Sequence, residues 1–309
     1  MNYRKLGKTE LTVSEIGLGC WELGGETTIN DIPLTYGKVS EKSASKIIQT
    51  AIKMGINTFD TADSYSLGNS EKRLGNKIKN LEKKINIFTK AGIIAASNSP
   101  LPVEIDLSEE YLISSIKRSL NRLKKKKMEL FQAHKPPKNE KEIKGLAKTF
   151  KKIKEMNLAS FCGVSIGLEY ELGIYFSMID YKPTIELLSY AKKNNVGIII
   201  ASPLGQGFLA GKYKENHKFA KNDIRHITYS KKIVKERIKK ANQFKFLTNK
   251  HRSIAQVGIA YVLSKKEVSL CIPGSSSPRH VILNANASKI KLTDDELKQI
   301  KEIQDKWDN

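Results

Sequence analysis

No run of apolar residues in this 309-residue chain reaches the ~18 that a membrane helix requires, so no membrane segment is expected. Its amino terminus, from Met1 to Gly7, carries charge with no apolar stretch behind it. That argues against a cleavable secretory leader and for a cytoplasmic protein. Cysteine is scarce: Cys20, Cys162 and Cys271 lie far apart, which suits neither a disulfide framework nor the paired spacing of a zinc site, so reduced thiols and no metal are expected. The strand-glycine-helix pattern G-x-G-x-x-G is missing too, and any nucleotide must be held by other means. Acidic residues are outnumbered, with 32 Asp and Glu against 54 Lys and Arg for a formal charge of +22. Lys124–Lys127 form a compact basic run, but lysine is spread along the whole chain with acids interleaved, and no zinc-finger or aromatic RNA-binding pattern accompanies it. A lysine-rich solvated surface is the reading, with no dedicated nucleic-acid site; an anionic cofactor or substrate would still gain from the field.

What is present is repeated strand and helix. Hydrophobic residues at 39% and charged ones at 28% are ordinary globular usage, and the length suits one α/β domain spanning 1–309. Residues 3–6 and 11–13 flank a Gly7–Glu10 turn and read as a hairpin able to plug a barrel end. Buried strands are expected at 16–19, 56–59, 85–89, 128–133, 159–164, 196–201 and 268–272. Helices are expected at 41–54, 71–78, 108–123, 140–156, 184–194, 229–247, 253–263, from about 279, and at 294–306. Ser108 is placed as an N-cap within a reciprocal capping box. Strand followed by helix, repeated, implies a parallel sheet with helices outside, and here a (β/α)8 barrel.

The pattern falters once. Between the fifth strand, ending at Val164, and a strand-like run beginning near Leu172, only Ile166 to Glu171 remain, and a parallel crossover needs about a dozen residues or more. Either an outer helix is missing and the barrel is shortened between its fifth and sixth strands, or Leu168 to Met178 is itself the helix and a strand is lost. The wall there is expected to be the weakest part of the fold.

Barrel chemistry lies at the carboxyl ends of the strands. The second strand delivers Asp60 and, in the following loop, Tyr65; later strands end on Lys90 and His134. A lysine ammonium beside a phenol stabilises phenolate and lowers the phenol pKa from its ordinary ~10. An aspartate can hold that lysine charged and in place. Together the four make a general acid.

These residues resemble the aldo-keto reductases, and the similarity spans nearly the whole chain. Y-R-K-L-G-K-T-E-L-T-V-S-E-I-G-L-G looks like that family's hairpin and first strand, F-D-T-A-D-S-Y its aspartate and tyrosine motif, F-T-K its lysine strand and L-F-Q-A-H its histidine motif. G-V-S-I resembles its nicotinamide loop, S-P-L-G-Q-G-F-L-A-G-K-Y its cofactor-clasping loop, and I-P-G-S-S-S-P its adenosine-phosphate site. The resemblance implies metal-free hydride transfer from a nicotinamide cofactor to an aldehyde or ketone. Tyr65 would protonate the carbonyl oxygen, Lys90 lower its pKa, Asp60 pair with Lys90, and His134 orient the carbonyl. Cofactor contacts are expected at Gly19, Cys20, Asp60, Ser165, Ser202, Leu204, Gln206, Gly207, Lys212, Pro273, Gly274, Ser275, Arg279, His280 and Asn284. NADPH is the expected cofactor, with NADH as the alternative. Ser275 suits a 2′-phosphate, while the family's usual lysine and arginine positions carry Gly274 and His280.

The chain also departs from the pattern. Ser165 is followed by Ile166 where the family places Asn, nothing from Leu172 to Met178 supplies its usual Gln, and Ala201 stands where many members carry an aromatic residue. Those losses favour a second reading, a cofactor-binding regulatory protein resembling the potassium-channel β-subunits, with little turnover. The intact tetrad favours the reductase.

Overall fold

The computed structural model describes residues 1–81, 84–95, 103–166, 174–181 and 184–307. Its elements run β1 (Tyr3–Lys5), β2 (Thr12–Ser14), β3 (Leu18–Gly19), β4 (Thr28–Ile29), β5 (Ile32–Pro33), α1 (Glu41–Lys53), β6 (Thr58–Asp60), α2 (Asn69–Ile78) and β7 (Asn86–Ala91). After these come β8 (Ile93–Ala95), β9 (Val103–Ile105), α3 (Glu109–Leu123), β10 (Met128–Ala133), α4 (Glu140–Glu155), β11 (Ala159–Val164), β12 (Ile174–Tyr175), α5 (Thr184–Asn194) and β13 (Ile198–Ala201). The chain finishes with α6 (Arg225–Thr228), α7 (Lys231–Asn242), α8 (Ile254–Leu263), β14 (Val268–Cys271), α9 (Pro278–Asn286) and α10 (Asp294–Asp305).

Strands β3, β6, β7, β10 and β11 pair in parallel, as do β12, β13 and β14. Parallel bridges Ile16 to Cys271 and Gly19 to Gly274 join the two sheets, and the whole is a (β/α)8 barrel. Gly19 is what lets the seam close at the rim, since a Cβ there would stand 2.7 Å from the Ile272 carbonyl oxygen. The barrel interior is a separate cluster in which Leu6 and Val13 meet Phe88, Leu130, Leu270 and Ile272. Leu6 and Val13 come from the β1–β2 hairpin, which therefore plugs the amino-terminal end, latched by Lys8 N–H on the Asn195 carbonyl at 2.9 Å. The larger cluster lies between strands and helices; Ala44, Ile47, Ile48 and Ala51 of α1 recur at helical spacing and are buried in it.

Several boundaries differ from expectation for identifiable reasons. The Ser108 hydroxyl accepts from Tyr111 N–H alone; the third helical residue is Tyr111, which has no carboxylate to reach back, so there is no capping box. The expected helix 229–247 is divided, because Ser230 caps α7 through Ile233 N–H, α7 stops at Asn242, and the segment closes in a separate 3-10 turn at Lys245–Leu247. Two antiparallel pairs, β4–β5 and β8–β9, occupy segments read as loops.

At the faltering point, Ile174 and Tyr175 pair in parallel with Ile200 and Ala201, so the sixth strand exists and a helix through Met178 is excluded. Residues 167–173 lie outside the described part. Among the described residues β11 has no strand neighbour on that side and no crossover helix precedes β12. No helix of the described residues is long and apolar enough to cross a membrane.

Candidate active site

Four side chains from three adjacent strands meet at the carboxyl end of the barrel. Parallel register puts Gly19 beside Asp60, Asp60 beside Phe88, and Gln132 beside Lys90. Lys90 lies within β7 rather than after it, while His134 follows β10 directly, its N–H bonded to the Ala91 carbonyl at 2.8 Å. Tyr65 is brought back by a tight turn in which Ser66 and Leu67 take left-handed φ of 49° and 53° before Gly68 opens α2.

Asp60, Lys90 and His134 are 2%, 5% and 0% exposed. The Lys90 ammonium donates to one oxygen of the Asp60 carboxylate and to the Thr61 carbonyl at 2.9 Å. Gln132 Nε2 donates to the other carboxylate oxygen at 3.3 Å. The ion pair is thus compensated inside the protein, as a buried charge requires. Lys90 Nζ is 5.2 Å from the centroid of the Tyr65 ring. The His134 ring meets that ring edge-on at 5.6 Å, and Trp21 stacks on it at 5.8 Å and 12°.

Burial, reinforced by the Asp60 carboxylate, holds the Tyr65 phenol well above its usual range. This reverses the expected direction. Lys90 is in closest contact with Asp60, so its charge is matched there and does not offset desolvation of the phenol. Tyr65 is consequently a protonated group at neutral pH. Burial likewise pushes His134 well below the usual histidine range, with Lys90 and Lys135 acting the same way, so its imidazole is neutral. Its Nδ1 lies 3.3 Å from the Ser64 hydroxyl, and its Nε2 is buried without a hydrogen-bond partner.

Gln132, Ser64 and Trp21 were not among the expected site residues. Gln132 had a signal: it lies on β10 two residues before His134, which directly continues that strand, and residues two apart along an extended chain share a face. Ser64 and Trp21 had none, since turn geometry alone brings them in.

The expected cofactor contacts fall into three groups. Near β3, Gly19 N–H bonds the Pro273 carbonyl at 3.3 Å, while Cys20 is wholly buried in the core, its thiol donating to the Leu18 carbonyl at 3.4 Å. After β13, Ser202, Gln206 and Gly207 have φ of 52°, 56° and 90°, in a turn closed by Gly205 N–H on Ser202 and Gly207 N–H on Leu204. Tyr229 donates to Gln206 Oε1 at 2.6 Å, and Arg225 Nη1 to the Gln206 carbonyl at 2.8 Å. Arg225 is chelated by Asp223 and lies over the rings of Tyr36 and Phe219. After β14, buried Asn284 donates to Ser275 Oγ at 3.2 Å and to the Gly274 carbonyl at 3.5 Å. Arg279 and His280 are exposed on the first turn of α9, capped by Ser277. Lys212 and Arg279, after burial, both push His280 below its ordinary value, so three cationic positions share one locality at a helix amino terminus.

Ser165 is buried, its N–H on the Ala133 carbonyl at 2.8 Å. It lines a cavity of about 790 Å³ together with Asp60, Tyr65, Lys90, Gln132 and Ala201. Ile166 beside it is 43% exposed.

Comparison with known proteins adds to the geometry. The model of the aldo/keto reductase family matches residues 15–305. The aldo-keto reductase yakc [NADP(+)] of Schizosaccharomyces pombe is 27% identical over 98% of this chain and 91% of its own. The NADH-specific methylglyoxal reductase of Escherichia coli is 25% identical over 96% of this chain and 97% of its own. Among solved structures, the glycerol dehydrogenase AKR11B4 from Gluconobacter oxydans superposes with a TM-score of 0.80 at 23% identity, covering 97% of this chain and 94% of that one. That likeness bears on the fold.

Proposed function

This chain belongs to the aldo/keto reductase family, oxidoreductases acting on carbonyls, and we propose that it reduces a small aldehyde or ketone with a nicotinamide dinucleotide, Tyr65 being the proton donor. The observation that carries the reading is the convergence of Tyr65, the Lys90–Asp60 pair and His134 at one rim, with His134 Nε2 buried and unpartnered. A buried polar atom without a partner is a vacancy that a substrate oxygen can fill.

The residues fit a dinucleotide. Gly19 and Gly274 bring two strand ends together at the seam, and Ser275, Lys212, Arg279, His280 and the α9 amino terminus form an anion site at one end. Bound there, the nicotinamide would supply a hydride to the carbonyl carbon. Neutral His134 donates from Nε2 to the carbonyl oxygen and orients it, provided Nδ1 accepts from Ser64. Tyr65, protonated, gives its hydroxyl proton to that oxygen as the alcohol forms. The Lys90–Asp60 pair keeps the pocket close to neutral, so that transient phenolate faces an ammonium. NADPH is the cofactor we favour, with a modest preference, because one cation site of the family pattern carries glycine at 274.

The second reading, dinucleotide binding with little turnover, has one observation in its favour: Ile166 is exposed where an amide would hold the nicotinamide. Stopped-flow mixing with NADPH and an aromatic aldehyde separates the two. Carbonyl-dependent NADPH oxidation that collapses in Tyr65→Phe, with binding retained, supports the reductase. Binding without oxidation supports the alternative, and turnover unchanged in Tyr65→Phe removes the proposed role of Tyr65.

A further inference from the structure

Glu22 opens the 3-10 turn Glu22–Gly24 just after β3, and its carboxylate rests on the backbone of Gly274. A Cβ built on Gly274 would lie 2.2 and 2.5 Å from the two carboxylate oxygens, so any other residue at 274 would have to displace Glu22. Gly274 immediately precedes Ser275, at the phosphate end of the groove described above. At the other end the same carboxylate acts on Tyr65, adding to the upward push on its phenol. Glu22 therefore stands between the two ends. A dinucleotide reaching from Tyr65 to the α9 amino terminus carries its pyrophosphate in between, beside a residue that is itself an anion.

The surroundings leave that carboxylate poorly compensated. Burial raises its proton affinity, opposed by its own backbone N–H and by Arg225. Arg225, from α6, is the cation facing it, but its guanidinium is chelated by Asp223 at 2.9 and 2.6 Å. The other groups it faces are the Tyr65 phenol, from the turn after β6, and the Cys20 thiol, both pushed further toward the protonated state by Glu22. From the β14 side it meets the uncharged Gly274 backbone.

On the reading that this groove holds a nicotinamide dinucleotide, we propose that Glu22 opposes the pyrophosphate, so that the dinucleotide binds with uptake of one proton by the Glu22 carboxylate and loses affinity as pH rises. Two adjacent anions disfavour one another, and the weaker acid takes the proton. Affinity then falls by up to about tenfold per pH unit across the window between the free and bound proton affinities of Glu22.

The test is the dissociation constant of NADH, from nicotinamide fluorescence, between about pH 5.5 and about pH 8.5, for the wild type and Glu22→Gln. NADH is the discriminating ligand because it has no 2′-phosphate, which His280 would otherwise make pH-dependent. The expected result is a wild-type affinity that falls with pH, a flat profile for Glu22→Gln, and binding at least about tenfold tighter in the variant at the alkaline end. Calorimetry of the wild type in two buffers of different ionisation enthalpy reads proton uptake directly, and needs no variant to fold. Wild-type NADH binding without proton uptake, or an unchanged slope in Glu22→Gln, overturns the role of Glu22 while leaving the cofactor reading in place. Absence of binding by either dinucleotide to the wild type at any pH removes the cofactor reading itself.

Discussion

Replacing Lys90 by Met keeps most of the stem and deletes the ammonium, which tests whether the buried pair holds the site together. In the wild type Asp60 accepts from Lys90 on one oxygen and from Gln132 on the other, at 2% exposure. Without Lys90 the only donor left to Asp60 from these two is a neutral amide at 3.3 Å. Removing one partner of a buried pair typically destabilises by about 3–5 kcal/mol, since the remaining charge is neither solvated nor matched. The unfolding free energy of Lys90→Met near neutral pH should fall by roughly that amount. Lys90→Met/Asp60→Asn should recover more than half of the loss, since both charges are then gone and the amide can still accept from Gln132. Urea unfolding followed by far-ultraviolet circular dichroism, with cofactor-free protein, measures both. A loss below about 1 kcal/mol in the single variant, or a double variant no more stable than the single, refutes the claim that a compensated buried pair organises the site.

Burial raises the Asp63 carboxyl to about 7, so the folded state binds a proton that the unfolded chain releases near ~4; stability is full below that and falls as pH rises to neutrality. Asp63→Asn should therefore flatten the stability profile between about pH 4 and about pH 7 and gain a few kcal/mol at its upper end, and superimposable denaturation profiles would count against it. A Cβ on Gly75 would lie 2.3 Å from the Arg122 carbonyl oxygen. Gly75→Ala should thus destabilise by roughly 1–3 kcal/mol through forced separation of α2 and α3, outweighing the ~1 kcal/mol that alanine gains in a helix; a higher melting temperature would show the contact to be softer. Burial and neighbouring lysines lower His134, so it should stay neutral down to weakly acid pH, and NMR detection of an imidazolium near pH 6.5 would contradict the neutral state assigned to it.

Much of the barrel was legible because two periods alternate in the sequence. Ala44, Ile47, Ile48 and Ala51 at helical spacing, then Thr58–Asp60 as a short buried strand, need only burial and reach to become one β/α unit. The β4–β5 and β8–β9 pairs were not legible: each lies on the rim, and β4 and β5 have two residues apiece, too short for alternation to register. The end of α5 was readable from the chain, but the stretch before it was not. Its apolar run fits strand or helix equally, and only pairing of Ile174 with Ile200 decides.

The site divides along the same line. Asp60, Lys90 and His134 could be read because each lies at or next to a strand end, where parallel register forces neighbours together whatever the loops do. Their electrostatics could not be read. Pairing residues by charge sets Lys90 against Tyr65 and lowers the phenol, whereas the fold sets Lys90 against Asp60 and leaves burial to raise it. The distinction is spatial: strand register fixes which side chains share the rim, but rotamer and depth decide which of them touch. Glu22 follows from the same reasoning, since in the sequence it is one more exposed-looking acid after W, and only closure of β3 on the segment after β14 lays its carboxylate against Gly274.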